Sequence, residues 1–356
     1  MRLTCPNPAF ACRPANITFR NNPFPVLILL SFLLLSSSAT AGERHAAVTM
    51  SVNLNAPAAA QHVRLWIPYP MSDENQDIGD VHISGNFASY GVYRERKGGN
   101  TLLYAEWNGA EKERTLAYAF KVVRREVRIK DLTAKDYPLP AREFAHYLAP
   151  TILGETSGAA KEYAERLTKG KKTNLAKARA IYDWIVENMH RDPDVKGCGI
   201  GEVDTLLRKL GGKCADIHSV FVSLCRAAGV PAREVFGIRI PKEGTGEMTK
   251  AQHCWAEFYD PGTGWIVVDP ADVRKAILEK KHSLEEAGPL REYYFGAVDE
   301  NRIAFGTGRD LVLNPPQSGS PLNYFMYPYA EADGKTLNED LYGFNIGYKI
   351  SYTDQP

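Results

Sequence analysis

The stretch GGKCADIHSVFVSLCRAAGVP, residues 211–231, decides how the rest of this 356-residue chain is read. Ile217, Val220, Phe221, Leu224, Cys225 and Ala228 recur at three- and four-residue spacing, the pattern of a helix that buries one face. Gly229 and Pro231 end it, because glycine accepts the left-handed conformation past a helix and proline cannot continue the hydrogen-bond ladder. The helix therefore opens at Cys214, directly after Gly211-Gly212-Lys213. A first helical turn offers unpaired backbone N–H groups and the positive end of the macrodipole, which together can bring a thiol pKa into the range of ~3.5–7.5. Cys214 precedes Ile217 by three residues, so its sulfur faces the packed side. A cysteine at a buried helix start is often only a small hydrophobe, and a chemical role requires partners.

A second stretch, QHCWAEFYDPGTGWIVVD at residues 252–269, supplies them. Two strand-like segments flank a Pro-Gly turn, which reads as a β-hairpin. Centred near Pro261-Gly262, with opposed residue numbers summing to about 522, the hairpin sets His253 opposite Asp269, with Cβ atoms about 4.5–5.5 Å apart. At that range a carboxylate can hold one imidazole nitrogen and fix the ring. A register slip of two would keep the faces and loosen the pair. Cys254, Ala256, Phe258, Ile266 and Val268 fall on the other, apolar face. An activated thiolate, an imidazole and an orienting carboxylate are the parts of covalent acyl transfer.

Taken together, GGKCADIHSVFVSLCRAAGVPAR, QHCWAEFY and GWIVVDPAD resemble the core of the transglutaminase-like superfamily, within the papain-like fold, over about residues 175–274. The resemblance implies an α+β core in which a nucleophile helix packs on an antiparallel sheet. It implies that Cys214 is the nucleophile, His253 the general base and Asp269 the orienting acid, the three residues that the helix and hairpin readings select by themselves. No D-x-D-x-D-G calcium loop is evident, so neither a cofactor nor a metal is expected.

Other candidates receive quieter readings. His218 lies four residues after Cys214 without an obvious carboxylate to orient it, and is read as structural or substrate-lining. Asp216 suits the helix start electrostatically but opposes a thiolate nearby. A zinc site from Cys198, Cys214, His253 and Cys254 is disfavoured, because neighbours in a strand point to opposite faces and no C-x-x-C spacing occurs. Cys225, about 16 Å along the helix from Cys214, reads as core. Cys198, between Gly197 and Gly199, stays open among a disulfide with Cys254, a redox cover on Cys214 and a free thiol.

Working outward, Arg2, Arg13 and Arg20 are the only charges before residue 42, and VLILLSFLLL at 26–35 precedes Ala39-Thr40-Ala41. This is the pattern of a secretory signal cleaved after Ala41; ten apolar residues are too few to span a bilayer core of about 30 Å. An uncleaved anchor is the alternative. Cleavage changes the formal charge from +1 to −2, leaves four cysteines and implies a periplasmic or extracellular location. A charge so close to zero gives no field to hold nucleic acid or an anionic membrane.

Residues 42–135 alternate in hydrophobicity, as in Val48, Met50, Val52 and Leu54, and read as an antiparallel β-sandwich domain. Helical spacing takes over after Tyr137-Pro138-Leu139-Pro140, with Thr173 or Asn174 capping a helix to about His190, and residues 136–290 form the catalytic core. Residues 291–356 read as a β-rich aromatic extension packed on that core, and the 241–251 loop as a mobile lid. The function expected is an exported cysteine enzyme acting on peptide or carboxamide bonds through a thioester, hydrolytic ahead of transamidating, with a peptide or protein substrate that belongs to the cell envelope in one reading. The rivals are a non-catalytic peptide- or glycan-binding protein on the same fold and an acyl-coenzyme acetyltransferase, the latter disfavoured by export.

Overall fold

The computed structural model describes residues 42–129, 131–133, 138–242 and 244–356; the signal sequence expected at 1–41 lies outside them. The alternation that begins at Ala46 produces strand Glu43–Asn53, with Val48, Met50 and Val52 buried and Thr49 and Ser51 turned outward. This strand sits between Thr115–Arg125 and Tyr348–Asp354 in a five-stranded sheet whose outer members are Gln76–Gly85 and Thr245–Glu247. A second sheet runs Lys335–Thr336, Tyr329–Ala332, His62–Pro68, Thr101–Asn108, Ser89–Arg94. Their inner faces share one core, in which Val48, Met50 and Tyr118 meet Val63, Leu65, Ile67 and Trp107. Residues 329–354 thus supply strands to both sheets begun by residues 43–125.

The third layer is an antiparallel sheet ordered Gly264–Val268, Gln252–Asp260, Ala232–Arg239, Arg302–Thr307. Helix Cys214–Ala227 lies on it, with Ile217, Val220, Phe221 and Leu224 buried against Ala256, Phe258, Ile266 and Val268. Fully burying such side chains contributes roughly 1.5–3 kcal/mol each, and Phe221→Ala would cost about 3–5 kcal/mol. Helices Gly158–Leu167, Asn174–Asn188 and Val203–Lys209 close over its other side. Thr173 caps the second of these by accepting from Ala176 N, as its position in the sequence predicts.

Ile238 and Ile303 extend from the third sheet into the sandwich core, so this sheet straddles both halves of the structure. At that junction a β-bulge between Phe236 and Gly237 shifts the pairing with strand Arg302–Thr307. A Cβ on Gly237 would collide with the carbonyl oxygen of Ile303, so only glycine lets the two backbones close together there. Gly237 is also the residue paired with His253, which places the bulge beside the expected base.

Candidate active site

Cys214 begins its helix with Lys213 as the extended capping residue. Asp216 builds this corner: one carboxylate oxygen accepts from Lys213 N at 3.0 Å and the other from Gly201 N at 2.8 Å. The acid that the sequence sets against a thiolate is therefore spent on backbone amides, and burial pushes its carboxyl up. The same carboxylate presses on Gly199, at φ +86°, where any Cβ would strike it. The tight glycine loop draws Cys198 over the helix start, and its carbonyl accepts from Ala215 N at 2.9 Å. Tyr324, from the aromatic C-terminal segment, holds the loop from outside by donating to Gly199 O at 2.6 Å.

All four described cysteines are buried free thiols. Cys198 and Cys254 flank Cys214, and their hydrogen bonds to its sulfur are the largest influences holding its pKa well below the ordinary thiol value; burial opposes them, and the His253 imidazole adds to them. The two flanking thiols move the other way. Cys198 is raised by holding its proton toward Cys214 and by burial, Cys254 by burial first and then by Cys214. The shifts favour the thiolate at Cys214 over its two neighbours, whose sulfurs also meet Gln252 O at 3.2 Å (Cys198) and His218 Nδ1 at 3.4 Å (Cys254).

His253 and Asp269 meet at 2.8 Å between Nε2 and Oδ2, both buried. They do so by a different route from the one the hairpin implies. The loop is three residues long, Pro261–Thr263, so Asp260 pairs with Gly264 and Ala256 with Val268. The register is displaced by two from the one that sets His253 opposite Asp269, and the position across from Asp269 belongs to Trp255. Strand pairing stops at Val268, and Asp269 caps helix Pro270–Lys280, its Oδ1 accepting from Asp272 N at 2.8 Å. Its second oxygen reaches diagonally to His253, a contact that the shared face permits and the cap fixes. Engaging Nε2 leaves Nδ1 of His253 for the side of Cys214.

Behind this pair lies a charged cluster with no counterpart in the sequence reading. Arg302 is fully buried; its guanidinium grips Asp269, donates to Asp272 at 2.8 Å and to Asp299 at 3.0 Å, and lies 3.2 Å from His253 Nε2. Arg239 also pairs with Asp272. Burial would raise the Asp269 pKa, but Arg302 and then His253 outweigh it and hold the carboxyl well below its usual range. For His253, burial and Arg239 oppose the proton, while Asp272 and Asp269 together prevail and raise its pKa. Asp272 had a local signal, sitting three residues past the capping acid; Arg302 and Asp299 reach the site only through strand order. His218 also has the carboxylate that the sequence did not reveal: its Nε2 is 3.2 Å from Asp269 Oδ1, and its Nδ1 is 3.4 Å from Cys254 Sγ. It stands behind the acid, fully buried and outside the lining of the cleft.

Ligand atoms of His253, Asp269 and Asp272 come within 4.8 Å of one another, a spacing that suits a metal ion. Arg302 and Arg239 already engage both carboxylates, so guanidinium groups stand where a cation's charge would be needed. Cys214, His253, Cys198 and Gln252 border a cleft of about 380 Å³, a volume within the range of small-ligand sites. Pro241, Lys250 and Ala251 form part of its wall. The intervening chain is tied down by strand Thr245–Glu247 and by Met248 N donating to Ile350 O at 2.8 Å, so the expected lid is anchored to the sandwich.

Comparison with known proteins fits this geometry. The family model for the transglutaminase-like superfamily matches residues 161–270. An uncharacterised protein of Haemophilus influenzae is 36% identical over 319 residues, covering 82% of this chain and 86% of its own length. A shorter segment of 80 residues, 20% of this chain, is 34% identical to 11% of a protein-glutamine gamma-glutamyltransferase of Pseudomonas aeruginosa. Among solved structures, a protein of Cytophaga hutchinsonii described provisionally as a cysteine protease superposes with a TM-score of 0.52 at 14% identity, over 88% of this chain and 98% of that one, a likeness of fold.

Proposed function

The chain belongs to the transglutaminase-like superfamily, and on that premise we propose that it is an exported cysteine-dependent acyl-transfer enzyme with Cys214, His253 and Asp269 as its triad. The observation that carries the reading is the 2.8 Å His253–Asp269 contact beside a buried, acid-shifted thiol at a helix start, in a cleft open to substrate. The Cys214 thiolate attacks the carbonyl carbon of a peptide or carboxamide, forming the C–S bond while the carbonyl π electrons move to oxygen. The N–H of Cys214 itself faces that oxygen as one donor of an oxyanion hole. His253 gives its Nδ1 proton to the departing nitrogen as the C–N bond breaks, leaving a thioester and an amine. It then takes a proton from water, which attacks the thioester and releases the acid and the thiolate. Asp269 keeps the ring oriented and sustains its positive charge throughout.

Hydrolysis is favoured over transfer to an amine, and export is supported by the 1–41 leader; no helix among the described residues is long and apolar enough to cross a membrane. The test is alkylation from pH 5 to 9 with mass spectrometry reporting each of the four cysteines. Cys214 should label well below pH 7 and more slowly in His253→Ala. A folded protein whose Cys214 stays inert under reducing conditions would remove the enzyme reading in favour of a binding module.

A further inference from the structure

The cleft outside Cys214 is lined by Arg191, Lys213, Arg239, Lys250 and Lys275, and by no described carboxylate. Acids and bases nearly balance over the whole chain, so five cations around a cleft that borders the thiol are a local excess. Arg239 is matched by Asp272, and Lys275 lies 3.8 Å from Glu279 on its own helix. Arg191, Lys213 and Lys250 form no ion pair among the described residues. A single thiolate balances only one of them. Two further groups in the same wall lack partners: Nη1 of Arg191 is buried without an acceptor, and Gln252, 7% exposed, has neither its carboxamide oxygen nor its nitrogen satisfied. Buried polar atoms are rarely left unpaired, so these call for a partner, from water or from a bound molecule.

Building on the acyl-transfer reading, we propose that the substrate is an acidic peptide, with carboxylates close to the amide that Cys214 attacks. Arg191, Lys213 and Lys250 hold the carboxylates. The Gln252 carboxamide, one donor group and one acceptor, matches a peptide unit of the bound chain, which a phosphate or sulfate would not satisfy. Arginine takes a carboxylate through two parallel N–H groups, so Arg191 gives direction and the lysines give field.

The charge preference is read at Cys214 with two alkylating probes of similar size, anionic iodoacetate and neutral iodoacetamide, each normalised to its rate with free cysteine. The normalised ratio should exceed one by roughly tenfold at low salt, as electrostatic focusing allows. It should collapse toward one in 1 M salt, where the screening length is about 3 Å, and fall in Arg191→Gln and Lys250→Gln. A ratio at or below one, or one indifferent to salt, overturns the proposal while leaving the acyl-transfer reading intact. Inertness toward both probes overturns that reading instead. Binding to Cys214→Ala protein then decides the charge preference without chemistry. A blocked Ala-Glu-Glu-Ala peptide should bind at least several-fold tighter than its Ala-Gln-Gln-Ala counterpart, and equal affinities would sink the idea.

Discussion

Arg302 opens strand Arg302–Thr307 and Arg309 lies two residues past its end; both are buried guanidinium groups, yet they do different things. Arg309 donates to Glu234 at 2.7 Å, to Asn323 at 2.6 Å and to Ile200 O at 2.9 Å, contacts Ser219, and lies over the rings of Phe236 and Tyr324. One cation meets one carboxylate, and the remaining N–H groups tie a strand, a helix and the 197–201 loop together. Arg302 faces three carboxylates, Asp269, Asp272 and Asp299; Arg239 pairs with Asp272, and buried Arg124 donates to the Arg302 carbonyl. Asp272 and Asp269 of this cluster raise the His253 pKa against burial and Arg239. Arg309 is a clip that fastens the fold; Arg302 holds the acids that set a proton.

The comparison can be broken by substitution, beginning with the largest effect. Asp269→Asn should lower turnover about 10⁴-fold, because an amide no longer fixes the imidazole tautomer or sustains its charge; steady-state assay on an accepted peptide checks this. Arg309→Gln strands Glu234 in the core and should cost about 3–5 kcal/mol in urea unfolding, while the pH dependence of the surviving activity stays where it was. Arg302→Gln should cost a similar amount and also move the alkaline limb of that profile upward, since a cation 3.2 Å from His253 Nε2 is gone and the acids remain. If both arginine variants shift the profile, or neither does, the distinction between clip and setting charge fails.

Smaller effects sharpen it. In the unsubstituted protein, activity should rise as Cys214 loses its proton below the usual thiol range and fall only as His253 loses its own, above the ordinary imidazole value near 6.5. Arg239→Gln removes the strongest charge opposing the His253 proton and should carry the alkaline limb upward by about half a unit to one unit. Cys198→Ser, which keeps a hydrogen-bond donor against the thiolate, should shift the acidic limb less than Cys198→Ala does; alkylation rate against pH at Cys214 separates the two.

Much of the site is legible along the chain because its determinants are short-range. Apolar spacing after Cys214 and the Gly229–Pro231 stop fix the helix, and strand alternation alone sets His253 and Asp269 on one face. The register was not legible, since a shift of two residues keeps every side chain on the same face and leaves the hydrophobic pattern unchanged. Cys198 illustrates the other difficulty: its approach to Cys214 depends on Gly199 fitting against Asp216, a contact between two segments with no shared periodicity.

The sequence by itself determined where the helix opening at Cys214 starts, which strand carries His253 and that Asp269 shares its face, because caps, turns and amphipathic periods act within a few residues. Only the tertiary structure decided what surrounds them. Arg302 reaches Asp269 across 33 positions through a glycine-permitted bulge, and strands from residues 329–354 complete sheets begun near residue 43. Charge balance in a buried site depends on every group within a few ångströms, whatever its place in the chain, and folding is what brings those groups together.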